Sequence, residues 1–318
     1  MNVVVVGGGS WGTVFATLLC ARGHDVTLAC RDPAQVEQIA ATGRNPRYLT
    51  EVDLSAVGVE TVAAAPLDQA DLVVLAVPSR TFASVVSALP GDCPVLILTK
   101  GLDPDSGRRL SELVDARPVA VLSGPNHAEE IAQGLPAAAV VASADPKLAV
   151  ELQHAVISPT FRVYVNDDLV GVELCAAAKN VIALAAGGVD GLRLGDNAKA
   201  GLISRGLREM ARLGTASGAR QETFSGLAGM GDLIVTCWSR HSRNLRAGQL
   251  LVQGRRPEEA VQEIGMTVEG ITAAPVVRDV ARRLDIELPL TEAVCAVLDG
   301  TDALALVSTL MAREPTTE

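Results

Sequence analysis

Four β-branched residues in succession, Val3-Val4-Val5-Val6, run directly into Gly7-Gly8-Gly9-Ser10-Trp11-Gly12. Nothing else in the chain restricts its fold so tightly. An apolar run without alternation is a strand covered on both faces, and such strands belong to mostly parallel sheets. Gly7-x-Gly9-x-x-Gly12 then stands between this strand and an apolar helical stretch over residues 10–22. That context fits a dinucleotide-binding turn, in which Gly7 permits the tight bend, Gly9 lets a pyrophosphate approach the backbone and Gly12 lets the helix pack on the strand.

Similar short apolar runs recur at residues 25–30, 72–77, 95–98, 119–122, 138–142 and 161–165. Amphipathic segments at 33–41, 79–89 and 104–114 lie between them, several opened by Asp, Ser or Pro at cap or first-turn positions. Residues 1–167 therefore read as a doubly wound, Rossmann-like α/β domain with a mostly parallel sheet. After Asp167-Asp168 the apolar period lengthens to three and four, and residues 168–318 read as an all-α domain. Helices are expected at 169–189, ended by Gly187-Gly188, and at 197–217, 244–253, 257–264, 270–283 and 292–298, with a frayed tail from Arg313.

With 318 residues and 48% hydrophobic content, the chain can bury two cores. Its net charge of -10 argues against nucleic acid and anionic membrane surfaces, so any phosphate must be drawn by a local cluster of donors. No uninterrupted apolar run reaches the ~18 to 20 residues of a membrane span. Six scattered cysteines without a C-x-x-C pair, and four histidines, suggest reduced thiols in a cytoplasm and no metal site.

Several polar residues stand where chemistry would be done. At the end of the second strand, Arg31 in Cys30-Arg31-Asp32 can hold a ribose 2'-phosphate or stack on adenine, leaning towards NADP while leaving NAD open. Lys100 follows the strand at 95–98, and Ser123-Gly124-Pro125-Asn126 follows the strand at 119–122, both on the carboxyl edge where such sheets hold ligands. Lys179 lies among Leu174, Cys175, Ala176, Ala177, Ala178, Val181, Ile182 and Ala183. Burial there would disfavour its charged form and suit it to proton transfer, unless it serves a structural ion pair. Asp232 is its counter-ion, an acceptor for a substrate hydroxyl, or the N-cap of the following helix. Ser242-Arg243-Asn244 at a helix start is a ready anion site.

These segments, together with Asp190-Gly191-Leu192, Gly195-Asp196-Asn197-Ala198-Lys199 and Gly226-Leu227-Ala228-Gly229 to Thr236-Cys237, resemble the bacterial NAD(P)-dependent glycerol-3-phosphate dehydrogenases, in order over nearly the whole chain. The resemblance implies reversible reduction of dihydroxyacetone phosphate, a phosphorylated triose, to sn-glycerol 3-phosphate for phospholipid synthesis. It implies Lys179 as proton donor and acceptor, with Lys100, Asp232, Ser242, Arg243 and Asn244 contacting the sugar phosphate and Gly124 and Asn126 near the substrate. It also implies that Gly7, Gly9, Ser10, Trp11, Gly12, Arg31, Lys100, Ala128, Arg243 and Glu269 line the cofactor site. Asn126-His127 departs from the expected Ser or Thr followed by Phe, and Ala176-Ala177 from Gly-Ala. A ketopantoate-type reductase would share a lysine on the first helix of its second domain, and a dinucleotide sensor would share the turn alone. The apolar helices of the second half leave room for a homodimer.

Overall fold

The computed structural model describes residues 1–312, and the valine run forms its central strand, β1 (Asn2–Val6). After it come α1 (Ser10–Ala21), β2 (Asp25–Cys30), α2 (Pro33–Thr42), β3 (Gly58–Thr61), β4 (Leu72–Leu75), α3 (Ser79–Ser87) and β5 (Val95–Ile97). The series continues with β6 (Val119–Ser123), α4 (Ala128–Ala132), β7 (Ala137–Ala142), α5 (Pro146–Val156) and β8 (Phe161–Asn166). Among the described residues the strands make one eight-stranded sheet in the order β3-β2-β1-β4-β5-β6-β7-β8. All neighbours are parallel except β6 and β7. Val3 pairs with Val26 on one side and Leu72 on the other, so β1 is flanked by apolar strands as its composition requires. Strand order reverses between β1 and β4, which fixes the topological switch point beside the glycine turn.

The expected helix at 104–114 does not form. Gly107 adopts φ +70°, Leu102 bridges Arg109 in antiparallel fashion, and only Leu110–Leu113 make a single 3-10 turn. The buried carboxylate of Glu173 takes the place of helical bonds, accepting from the Ser111 N–H at 2.9 Å, the Ser111 hydroxyl at 2.5 Å and Arg109 at 3.0 Å. Elements beyond the sequence reading include β3, whose four residues are only partly covered, and α5, whose Asp145 cap accepts from the Lys147 N–H at 2.9 Å.

The chain divides into two compact units, one of Met1–Asp103 with Arg108–Glu173, the other of Pro104–Gly107 with everything from Leu174 onward. The second is helical: α6 (Leu169–Gly191) enters it, followed by α7 (Asp196–Ala216), α8 (Gln221–Ser225), a π turn at Leu227–Gly231 and α9 (Asp232–Trp238). Then come α10 (Arg243–Val252), α11 (Pro257–Ile264), α12 (Glu269–Arg283), α13 (Pro289–Leu298) and α14 (Ala303–Met311); the tail from Arg313 lies outside the described residues. Gly187-Gly188 do not end α6, which runs on to Gly191. Their smallness serves packing instead: a Cβ on Gly187 would strike the Leu245 carbonyl, and one on Gly248 the Leu184 carbonyl, so α6 and α10 cross backbone to backbone. With 23 residues and a mean hydropathy of 1.7 over its most apolar window, α6 is long and apolar enough to cross a membrane, contrary to the expectation that no segment would be. It is nevertheless a core helix, since 83% of that window is buried within the protein.

Candidate active site

The glycine turn of the first unit has the shape a dinucleotide needs. Gly7 adopts φ +121°, and a Cβ there would run into the Ala76 carbonyl just past β4, at the switch point. A Cβ on Gly12 would collide with the Gly7 carbonyl, whereas one on Gly9 would meet nothing within 4 Å. Main chain is thus exposed to approach at the middle glycine alone, where α1 presents the unsatisfied N–H groups of its first turn. The loop is braced from behind, because the Gly8 carbonyl accepts from Gln35 at 2.7 Å and from the buried Asn45 at 3.0 Å, and Asn45 also donates to Thr13 at 2.8 Å. Neither brace was singled out from sequence; lone amides carry no periodic signal.

Trp11 packs edge-on to Phe15, ring centroids 5.4 Å apart, and its indole Nε1 is buried with no acceptor among the described residues. A buried orphan donor is costly, so one beside a dinucleotide turn fits an acceptor-rich ligand. Arg31 is exposed just past β2, while Asp32 is committed elsewhere, its Oδ1 capping α2 through the Ala34 N–H at 3.0 Å. Ala128 is buried as the first residue of α4.

On the same sheet edge, Lys100 donates from Nζ to the Gly124 carbonyl at 3.1 Å and to Asn126 Oδ1 at 2.8 Å. Gly124 takes φ +134°, with a built Cβ only 3.0 Å from the Ala138 carbonyl. The Asn126 amide nitrogen is buried and finds no acceptor among the described residues. Lys100, Gly124 and Asn126, separate in sequence, are therefore one polar cluster.

In the second unit Lys179 is 4% exposed on α6, and its Nζ meets Asp232 Oδ1 at 2.5 Å and Thr236 Oγ1 at 2.9 Å. Asp232 is thus the counter-ion and not a cap for α9. Thr236, one turn further along α9, was not singled out; its four-residue spacing from Asp232 on one helix face was the available signal. Burial penalises the ammonium and the carboxylate alike, and pairing offsets both penalties. Cys237, adjacent to this pair, is pushed by burial up to about 12, so its thiol stays neutral.

Ser242 caps α10 by accepting from the Leu245 N–H at 3.2 Å. Asn244 bridges two helices, donating to Asn180 Oδ1 at 2.9 Å and accepting from the Gly270 N–H at 2.9 Å. Both side chains also serve the framework, and beside them the α10 start offers an anion its first-turn N–H groups and exposed Arg243, held to the Thr267 carbonyl at 3.0 Å. Glu269 opens α12, half-buried.

A dinucleotide turn at the switch point of a doubly wound sheet, with a buried lysine–aspartate pair in a separate helical unit, is the make-up of a nicotinamide-dependent oxidoreductase. Residues 2–149 match the N-terminal, and residues 168–307 the C-terminal, family description "NAD-dependent glycerol-3-phosphate dehydrogenase". The chain belongs to that family. A glycerol-3-phosphate dehydrogenase (NAD(P)+) of Thermus thermophilus is 47% identical over 325 residues, covering 100% of both chains. The crystal structure of a glycerol-3-phosphate dehydrogenase from Coxiella burnetii superposes with TM-score 0.94 at 38% identity, covering 98% of this chain and 99% of its own. A ketopantoate reductase from Ralstonia eutropha reaches TM-score 0.61 at 18% identity over 98% of this chain and 100% of its own, a likeness of fold alone.

Proposed function

We infer that the chain reversibly reduces dihydroxyacetone phosphate to sn-glycerol 3-phosphate with NADPH or NADH, in keeping with its family. The observation that carries the chemistry is the buried Lys179, held by Asp232 and Thr236. In the reductive direction a dinucleotide held at the glycine turn would supply the hydride that the C2 carbonyl carbon receives. Charge then gathers on the carbonyl oxygen, which Lys179 Nζ stabilises and protonates; in the reverse direction the neutral amine takes the hydroxyl proton. Asp232 and Thr236 keep Nζ aimed, and Arg243 with the first turn of α10 takes the phosphate.

For the dinucleotide, we assign Gly7, Gly9 and Gly12 to the pyrophosphate, with Ser10, Trp11, Arg31, Lys100, Ala128, Arg243 and Glu269 as further contacts. The open backbone at Gly9 and the orphan Trp11 donor support this reading. An exposed Arg31 beside an Asp32 already used as a cap favours NADPH over NADH. Lys100 and Asn126, with Gly124, serve the substrate. Residues 1–167 act as the dinucleotide domain and 168–318 as the substrate domain. The product serves glycerophospholipid synthesis in the cytoplasm, and exposed Leu304 and Met311 on α14 suit a homodimer. The deciding experiment follows absorbance of reduced nicotinamide with dihydroxyacetone phosphate, using NADH and NADPH in turn and ketopantoate as the control ketone. Turnover of ketopantoate in place of the triose phosphate would overturn the assignment.

A further inference from the structure

We propose that Lys199 is a positioning residue for the Lys179 centre, acting through Trp238 and the short helix α9. The proposal rests on the acid–base reading of Lys179. It starts from α9, whose seven residues continue the π turn at Leu227–Gly231 as a helical stretch still too short to hold itself. Its inward residues Asp232, the first of the helix, and Thr236, one turn on, meet Lys179, and its last residue is Trp238. Past Trp238 the chain turns to extended backbone at Ser239.

The far end of α9 is held by a second lysine. Lys199 Nζ lies 4.8 Å from the centre of the Trp238 ring and donates to Asp190 Oδ2 at 2.7 Å. Lys199 is 5% exposed, so its charge is largely withdrawn from water, the condition under which an aromatic face holds a cation best. Trp238 is 52% exposed; the cation, more than burial in a core, sets where this large ring rests. Asp190 stands near the end of α6 and Lys199 in the first turn of α7. Cys237 lies within electrostatic reach of both ion pairs, since Lys179 and Lys199 each pull its thiol down while Asp232 and Asp190 push it up. Lysines from α6 and α7 thus both hold α9, the helix that carries two of the groups holding Nζ of Lys179, the first through Asp232 and Thr236 and the second through Trp238. Release of the Trp238 end would let Asp232 and Thr236 drift from that nitrogen, and a displacement of about 1 Å can cost ~10²-fold in rate.

The test measures kcat and KM of the full chain for Lys199→Met, Lys199→Arg, Trp238→Leu, Trp238→Phe, the Lys199→Met/Trp238→Leu double variant and Lys179→Met. Loss of kcat by about tenfold in both Lys199→Met and Trp238→Leu, with KM for the dinucleotide unchanged, supports the proposal. So does a double variant no slower than the slower single one, because both changes break one linkage. Lys199→Arg and Trp238→Phe, which keep a cation and an aromatic face, should recover most of the rate. Trp238→Leu alters a half-exposed residue and keeps the fold, so its kcat remains readable if Lys199→Met unfolds. Wild-type kcat in both single variants, or losses that multiply in the double variant, overturns the positioning role while an inactive Lys179→Met leaves the acid–base reading standing. Turnover retained by Lys179→Met overturns both.

Discussion

Lys179 departs from the habit of its residue type: a lysine normally carries its charge out to water, and this one keeps it inside a helical unit against Asp232 and Thr236. Replacing it with methionine should lower kcat by ~10² to 10⁴, the usual worth of a positioned acid–base group, with dinucleotide affinity nearly unchanged in a fluorescence titration. The single change also strands a buried carboxylate. Lys179→Met/Asp232→Asn should therefore melt closer to the wild type than Lys179→Met does, while remaining equally inactive. Arg243 belongs to a different step. Because its guanidinium is exposed and, among the described residues, is held to the Thr267 carbonyl, Arg243→Ala should leave the fold intact and raise KM for the phosphorylated ketone. Equal KM values for both proteins would place the phosphate elsewhere. The polar residues of these clusters were legible individually from their settings, Lys179 by its apolar neighbours and Arg243 by its place at a helix start. What the sequence did not disclose was the framework around them: Ser242 also caps α10, Asn244 also bridges to Asn180 and Gly270, and Thr236 braces the lysine.

At the scale of elements, the strands other than β3 were readable because most are short, largely apolar runs, and the helices because their period is near 3.6. Failures came where tertiary contacts overrode local preference. Gly187-Gly188 look like a helix end, yet they serve the close crossing of α6 and α10. Gly187→Ala should consequently lower stability by ~1 to 3 kcal/mol, visible as a fall in Tm, even though alanine is the better helix former. The 104–114 segment failed for a related reason, since a buried carboxylate from Glu173 supplies the bonds a helix would have made. Glu209 does a similar service for α13, accepting from the N–H groups of Leu290 at 2.6 Å and Thr291 at 3.2 Å. Burial holds its carboxyl above the ordinary value of 4.5, with those hydrogen bonds pulling the other way. A carboxyl raised in the fold favours the protonated form there, so its contribution is present below the unfolded value and lost as pH rises through the folded one. Urea midpoints for the wild type and Glu209→Gln, taken over roughly pH 4 to 7, should show the wild type losing stability relative to the variant as pH climbs. A constant difference would mean that Glu209 titrates as it does unfolded.

On the scale of the whole molecule, only one unit carries the glycine turn, so a dinucleotide should protect the two units unequally. At a concentration of 100 Kd the gain is about 2.7 kcal/mol, and scanning calorimetry should assign it to the transition of the sheet-containing unit. Protection confined to the helical unit would contradict the placement of the cofactor residues. Unit boundaries themselves were only partly legible: the change from strand-like to helical periodicity near Asp168 is plain in the sequence, but nothing local marks Pro104–Gly107 as belonging with residues seventy and more positions later. Arg283 shows the attachment, donating to the Ser106 carbonyl at 3.2 Å. Anyone dividing the gene at a single codon to express the halves alone would thus separate this tetrapeptide from its guanidinium, and the C-terminal product would begin life missing a piece that only the other product encodes.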